Sequence, residues 1–119
     1  MSREIKFRVW DILGDRMLQW GDIFDLPAWE IFPGTPEQRA FNVMQYTGLK
    51  DKNGKEIYEG DIIDFHWTED KDRGVAEFVD GCFKITKMKR HTPIPLFLRY
   101  PTHEVIGNIY ENPELIHGT

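Results

Sequence analysis

The chain has 119 residues, 40% of them apolar, and carries a net charge of −5. A chain of this length makes one ordinary domain, buries roughly two-thirds of its unfolded surface and folds without cross-links. The acidic balance argues against wholesale nucleic-acid binding. The single cysteine, Cys82, rules out an internal disulfide and fits a reducing cytosol. The start, "MSREIKFRVW", has no apolar core of a signal peptide, and no apolar run reaches the length of a membrane span, so the expected location is cytoplasmic.

From the N-terminus the chain reads as short strands between turn signals, the pattern of a mainly β protein. In "FRVWDILGDRMLQW" a loop from Ile12 to Asp15 sets Asp11 opposite Arg16, Trp10 opposite Met17, Val9 opposite Leu18 and Phe7 opposite Trp20. That register places Phe7, Val9, Leu18 and Trp20 on one face. "GDIFDLPAWEIFPGTPEQRA" holds three prolines and reads as a long loop with a short helix around Pro27 to Phe32. Trp29, Ile31 and Phe32 either form an apolar patch for a protein partner or close the end of the core.

The centre, "MQYTGLKDKNGKEIYEGDIIDF", is crowded with glycines, charges and tyrosines. A two-residue Asn53-Gly54 turn would set Lys52 against Lys55 and Asp51 against Glu56. A three-residue loop, Lys52-Asn53-Gly54, instead pairs Asp51 with Lys55, Lys50 with Glu56 and Leu49 with Ile57. Each such pair contributes only about 0.2–1 kcal/mol, but all three select one register. Gly54 then takes the left-handed position of a bulged turn.

After a turn at Gly60, Ile63, Phe65 and Trp67 alternate with Asp64 and His66, and "TEDKDRG" reads as a charged loop. "GVAEFVDGCFKIT" reads as a hairpin with an Asp80-Gly81 turn, pairing Val79 with Cys82, Phe78 with Phe83, Glu77 with Lys84 and Ala76 with Ile85. "KMKRHTPIPLFLRYPT" reads as irregular. "HEVIGNIY" reads as a last strand with a bend at Gly107, and "ENPELI" as a helical turn capped by Asn112 with Pro113 at its first position.

"KFRVWD", "MQYTGLKDKNGKEIYEGDII", "DGCF" and "VIGNIYENPEL", in that order and across nearly the whole chain, strongly resemble the YopX family, small proteins of bacteriophages and bacterial prophages. The resemblance implies a single domain over 1–119. Its N-terminal β-rich hairpin segment, 1–47, packs on a small SH3-like β-barrel, 48–119. It brings a bacterial, cytoplasmic setting but no chemistry. The segments 21–40 and 87–103 lie outside the matching motifs.

No catalytic residue is indicated. Cys82 follows a tight turn, and none of the four histidines forms a Cys/His signature with it. No metal site is indicated either: "DKNGKE" has its glycine fourth, and lysines interrupt the oxygen donors that a calcium loop needs. No phosphate-binding fingerprint occurs, so no cofactor and no small-molecule substrate are expected. Glu69, Asp70 and Asp72 cluster in a stretch expected to be solvated, and so without a shifted pKa.

The charge is unevenly spread. Residues 81–103 hold Lys84, Lys87, Lys89, Arg90 and Arg99 and no acid, whereas residues 1–80 have a balance of −7. The basic segment, with Phe83, Phe97 and Tyr100 nearby, suits contact with an acidic protein partner or a second copy of the chain. The alternatives are nucleic acid, with aromatics stacking on bases, and a plain basic surface. The expected function is that of a non-catalytic phage accessory protein that binds a protein partner or itself. Lys84, Lys87, Lys89, Arg90, Arg99, Trp29 and Phe32 are the candidate contact residues.

Overall fold

The computed structural model describes residues 5–25, 41–66, 71–87, 93–95 and 102–117. The described residues form nine strands, a single 3-10 turn at Asp22–Asp25 and a one-turn helix. The protein is mainly β, as its alternating sequence requires. Antiparallel ladders build both sheets. Two compact units divide the chain, 1–46 and 47–119.

In the first unit β1 (Phe7–Asp11) lies between β2 (Arg16–Leu18) and the start of β3 (Phe41–Lys50). The β1–β2 register is Val9 to Leu18, Trp10 to Met17 and Asp11 to Arg16, as the charges and faces predict. Asp11 shapes the loop from within. Its backbone carbonyl accepts from the Asp15 N–H at 2.8 Å and its carboxylate from the Gly14 N–H at 3.0 Å. Strand β2 stops at Leu18, so Trp20 is not a ladder partner of Phe7. The two rings still meet, with centroids 6.0 Å apart. Val9 and Ile23 are buried, with Phe7, Leu18, Trp20, Phe41 and Val43 packed against them.

The second unit takes the end of β3, then β4 (Glu56–Tyr58), β5 (Asp61–His66), β6 (Lys71–Val79), β7 (Cys82–Lys87), β8 (Pro93–Pro95), β9 (Glu104–Asn108) and α1 (Glu114–His117). Strand β4 neighbours β3, and the others form a sheet in the order β8-β7-β6-β5-β9. Ile57, Ile63, Phe65, Ala76, Ile85 and Ile94 form the core, with Leu49, Phe83 and Val105 half-buried against it. The β6–β7 hairpin has the predicted register, from Val79–Cys82 to Ala76–Ile85. Its turn has positive φ at both central residues, 52° at Asp80 and 84° at Gly81, the mirror-image turn whose twist matches the strands it joins.

The crowded centre closes the open side of β9. Asp51 is buried although it is charged. Its Oδ1 accepts from the N–H groups of Asn53 and Lys55, both at 2.9 Å, and its Oδ2 from the N–H of Val105 on β9, also at 2.9 Å. The Asp51 N–H donates to the Lys55 carbonyl at 2.8 Å, as expected where these two residues lie opposite each other. The Lys52 N–H then donates to the His103 carbonyl at 2.9 Å. Gly54 adopts φ +82°, so the left-handed position of the three-residue loop is real. Burial pushes the Asp51 carboxyl up, but the N–H groups of Val105, Lys55 and Asn53 and the Lys55 charge outweigh it and hold it below its ordinary value.

Further expectations need correction. "TEDKDRG" is not all loop, because β6 already begins at Lys71, and Arg73, two residues on, pairs with Asp64 across the ladder. Strand β5 does not simply alternate. Ile62 and Asp64 are buried along with Ile63 and Phe65, so both faces are covered. The segment after β7 contains β8, in which Ile94 sits opposite Ile85 and is buried between two prolines. Trp67 and the helix expected near Pro27 to Phe32 lie outside the described residues.

The bend at Gly107 has a packing reason. The register passes from Ile62–Gly107 to Ile63–Val105, leaving Ile106 as an extra residue. A Cβ on Gly107 would stand 2.5 Å from Asn112 Oδ1. That oxygen accepts from the Asn108 N–H at 3.2 Å rather than capping α1, which starts one residue beyond Pro113.

Replacing Asp51 by alanine strands three N–H donors, and at about 1 kcal/mol or more apiece the unfolding free energy should drop by about 3 kcal/mol in urea titration. Asp51→Asn, which keeps one carbonyl acceptor, should cost less. Because the folded carboxyl titrates below the ordinary 3.8, its stabilisation is complete above that pH and is lost as pH falls through the lowered folded value. The urea midpoint should therefore be flat from neutrality to about pH 5 and fall below about pH 4, less steeply in Asp51→Asn.

Candidate functional site

Strands β5 and β6 are set so that Asp64 faces Arg73 and His66 faces Lys71, while β9 brings Glu104 opposite Asp64 from the other side. The 52–55 loop adds Lys52, and the residues before β9 add Thr102. All of these but Arg73 line, with Phe65, a cleft of about 240 Å³. All of these residues belong to the second unit.

The buried charged group in the wall is Asp64. Arg73 grips it with both prongs of the guanidinium, Nε to Oδ1 at 2.7 Å and the second nitrogen to Oδ2 at 3.3 Å. The third guanidinium nitrogen donates to the Leu115 carbonyl of α1 at 3.1 Å, tying the C-terminal turn to the sheet. Lys71 Nζ approaches Asp64 Oδ2 at 3.4 Å. Burial pushes the Asp64 carboxyl up, but Arg73 and then Lys71 outweigh it and hold it below the usual carboxylate range. In return the carboxylate raises the Arg73 pKa, working against its burial. At the rim, Lys52 Nζ and Glu104 Oε1 are 3.6 Å apart. The His66 N–H donates to Thr102 Oγ1 at 3.4 Å, and the His103 ring stacks on Phe65 with centroids 5.6 Å apart and planes 10° apart.

This is a polar, charge-lined recess. Among the described residues no group of three or more His, Cys, Asp or Glu is placed to hold a metal ion. Cys82 is exposed on the β6–β7 hairpin, with its thiol directed at the Val79 carbonyl at 3.7 Å.

The family model described as YopX protein matches residues 6–117. The chain belongs to the YopX family. Its relative in Bacillus subtilis, the SPbeta prophage-derived uncharacterized protein YopX, is 28% identical over 94% of this chain and 96% of its own length. The crystal structure of protein EF1440 from Enterococcus faecalis superposes with a TM-score of 0.67 at 27% identity, covering 97% of this chain and 99% of that one. The crystal structure of YopX from Bacillus subtilis gives a TM-score of 0.61 at 25% identity, covering 96% of this chain and 97% of that one. The match to the YopX model runs through both long segments that carry no family motif in the sequence.

Of the contact residues expected from sequence in this YopX-family chain, Lys84 lies on β7 opposite Glu77, with Nζ 4.0 Å from Asp80 Oδ2. Lys87 ends β7 opposite Gly74. Lys89, Arg90, Arg99, Trp29 and Phe32 lie outside the described residues. The cleft residues were not singled out from sequence. Cross-strand charge pairing, which located the other hairpins, would have found Asp64 opposite Arg73 had residues 67–70 been tried as the connection.

The two cations on Asp64 should separate cleanly by mutation. Arg73→Gln breaks the bidentate pair and the bond to α1, and should lower the unfolding free energy by about 1–3 kcal/mol. Lys71→Gln, at an exposed ion pair, should change it by less than about 0.5 kcal/mol. Urea denaturation of both variants checks the order.

Proposed function

We propose that this YopX-family chain is a phage or prophage accessory protein that acts in the bacterial cytosol by binding a protein partner, without catalysis. The prophage setting is that of its Bacillus subtilis relative. The fold reading is an SH3-like barrel over the second unit, supported by the order of its sheet and by the way Asp51 and Lys52 close β9.

The observation that carries the partner reading is Phe78. It lies beside the tip of the β6–β7 hairpin and is 53% exposed. Its ring meets that of Phe83 edge-on, with centroids 5.0 Å apart. A hairpin presenting an aromatic ring to solvent supplies the kind of anchor that dominates interface energy. Glu77 and Asp80 flank it, and the chain as a whole carries −5. The partner fitted by this end is a protein offering an apolar pocket with a basic rim. A second copy of the chain is less suited, because like net charges oppose association. For nucleic acid through Lys84, Lys87, Lys89, Arg90 and Arg99, Lys84 stands 4.0 Å from the Asp80 carboxylate, which offsets part of its charge.

The test is photo-crosslinking from position 78 in host cells, with light scattering and gel-shift titration on the purified chain. Expected are one crosslinked partner with a basic surface and binding to that purified partner weakened at least about tenfold by Phe78→Ser, a loss typical of anchor residues. A dimer dispersed by Phe78→Ser would replace the partner with a second copy. Salt-dependent binding to DNA or RNA, lost on neutralising the basic segment, would replace it with nucleic acid.

A further inference from the structure

Asn53 is the one asparagine of this chain that glycine follows. Asn42 precedes valine, Asn108 precedes isoleucine, and Asn112 precedes proline, which has no amide hydrogen. An asparagine side chain cyclises when the amide nitrogen of the next residue attacks its Cγ, and a glycine there leaves that nitrogen unshielded by a Cβ. Asn53 and Gly54 are both exposed, and a Cβ on Gly54 would meet nothing within 4 Å. Among the described residues the Asn53 side-chain amide makes no hydrogen bond.

The backbone around it is held by Asp51. The N–H groups of Asn53 and Lys55 donate to Asp51 Oδ1, both at 2.9 Å, and the Gly54 N–H donates to the Asp51 carbonyl at 3.0 Å. The attacking nitrogen is thus itself a donor engaged in the fold. While the loop is closed, its proton stays on the Asp51 carbonyl and the chain does not turn to bring it onto Cγ. Local opening of an exposed loop releases it without unfolding the core.

We propose that Asn53 is a site of spontaneous deamidation gated by Asp51, and that its conversion to isoaspartate unfastens the loop from β9. In the opened loop the Gly54 nitrogen bonds to Asn53 Cγ, and the Cγ–Nδ2 bond breaks. The side-chain nitrogen leaves as ammonia, carrying the proton that Gly54 gave up, and a succinimide ring remains. Water then adds to one of the two ring carbonyls. Attack at Cγ yields aspartate, and attack at the backbone carbonyl yields isoaspartate, with the main chain rerouted through the former side chain. Nothing is oxidised or reduced. Isoaspartate lengthens the main chain by one methylene and frees a carboxylate close to the buried one of Asp51. The Asn53 and Lys55 amides then no longer meet Oδ1 together, and the like charges repel. Two ties to the β9 segment run through this loop, from the Val105 N–H to Asp51 Oδ2 and from the Lys52 N–H to the His103 carbonyl, both at 2.9 Å. Reclosing does not reverse the chemistry, so the loop acts as a timer. Asp80-Gly81 offers the same glycine but an ionised carboxylate, whose carbon resists attack.

The test is incubation of the purified full chain in mildly alkaline buffer, with and without urea. Peptide mass mapping and enzymatic methylation of isoaspartate locate the product, and hydrogen exchange follows the amides. Isoaspartate should accumulate at position 53, at least about tenfold faster in urea than in the folded chain, the protection expected of a hydrogen-bonded loop. Folded Asp51→Asn should react at a rate between the two. The aged wild type should lose protection at the Val105 and Lys52 amides and keep it along the β6–β7 ladder. Asn53→Gln, which closes a less favourable ring, should keep Val105 protected over the same time. The proposal is overturned if the folded chain forms no isoaspartate at position 53 or forms it only at Asp80. It is equally overturned if urea or Asp51→Asn brings no acceleration, or if Val105 stays protected in the isoaspartyl chain.

Discussion

The second unit depends on a single carboxylate receiving N–H groups from two directions. Asp51 organises its own loop through Asn53 and Lys55 and reaches Val105, 54 residues later, with its other oxygen. A buried charge is costly unless its lone pairs are filled, and here backbone donors fill them. The loop conformation and the position of β9 are therefore one constraint: neither is satisfied without the other. Gly54 is the residue that lets the chain turn tightly enough for this, since its φ of +82° suits no ordinary side chain.

The same device recurs along the chain. Asp11 receives the Gly14 N–H, Asp61 the Tyr58 N–H at 2.8 Å, and Asn108 the N–H groups of Tyr110 and Glu111 at 3.0 and 2.8 Å. Asp11, Asp51 and Asp61 thus serve turns. Asp64 is the exception. It is buried in mid-strand and satisfied by side chains, and it lies in the wall of a charge-lined recess. That contrast separates an acid that shapes the backbone from an acid that holds cations in place.

Local chemistry made some of this legible in the sequence. The β6–β7 hairpin followed from Asp80-Gly81 and the pairing of Glu77 with Lys84, and the β1–β2 hairpin from matched faces and charges. The central loop followed from avoiding like-charge pairs. What stayed hidden was long-range. Asp51 read as a partner for the Lys55 side chain, because nothing nearby announces a distant amide. Lys71, Asp72 and Arg73 looked like solvated loop because charge within a strand is unusual unless a buried counter-charge waits across the ladder. The cleft drew on residues scattered from Lys52 to Glu104. Strand β8 was hidden by its prolines, which ordinarily argue against a strand.

Those prolines also decide what the five-stranded sheet can do next. Pro93 and Pro95 surround Ile94 on the outermost strand, and two of its three residues have no amide hydrogen to give. An extended segment from another molecule, arriving at that side, meets a backbone nearly devoid of donors. Among the described residues, templated growth of the sheet is disfavoured there by covalent structure, while Ile94 still plugs the core.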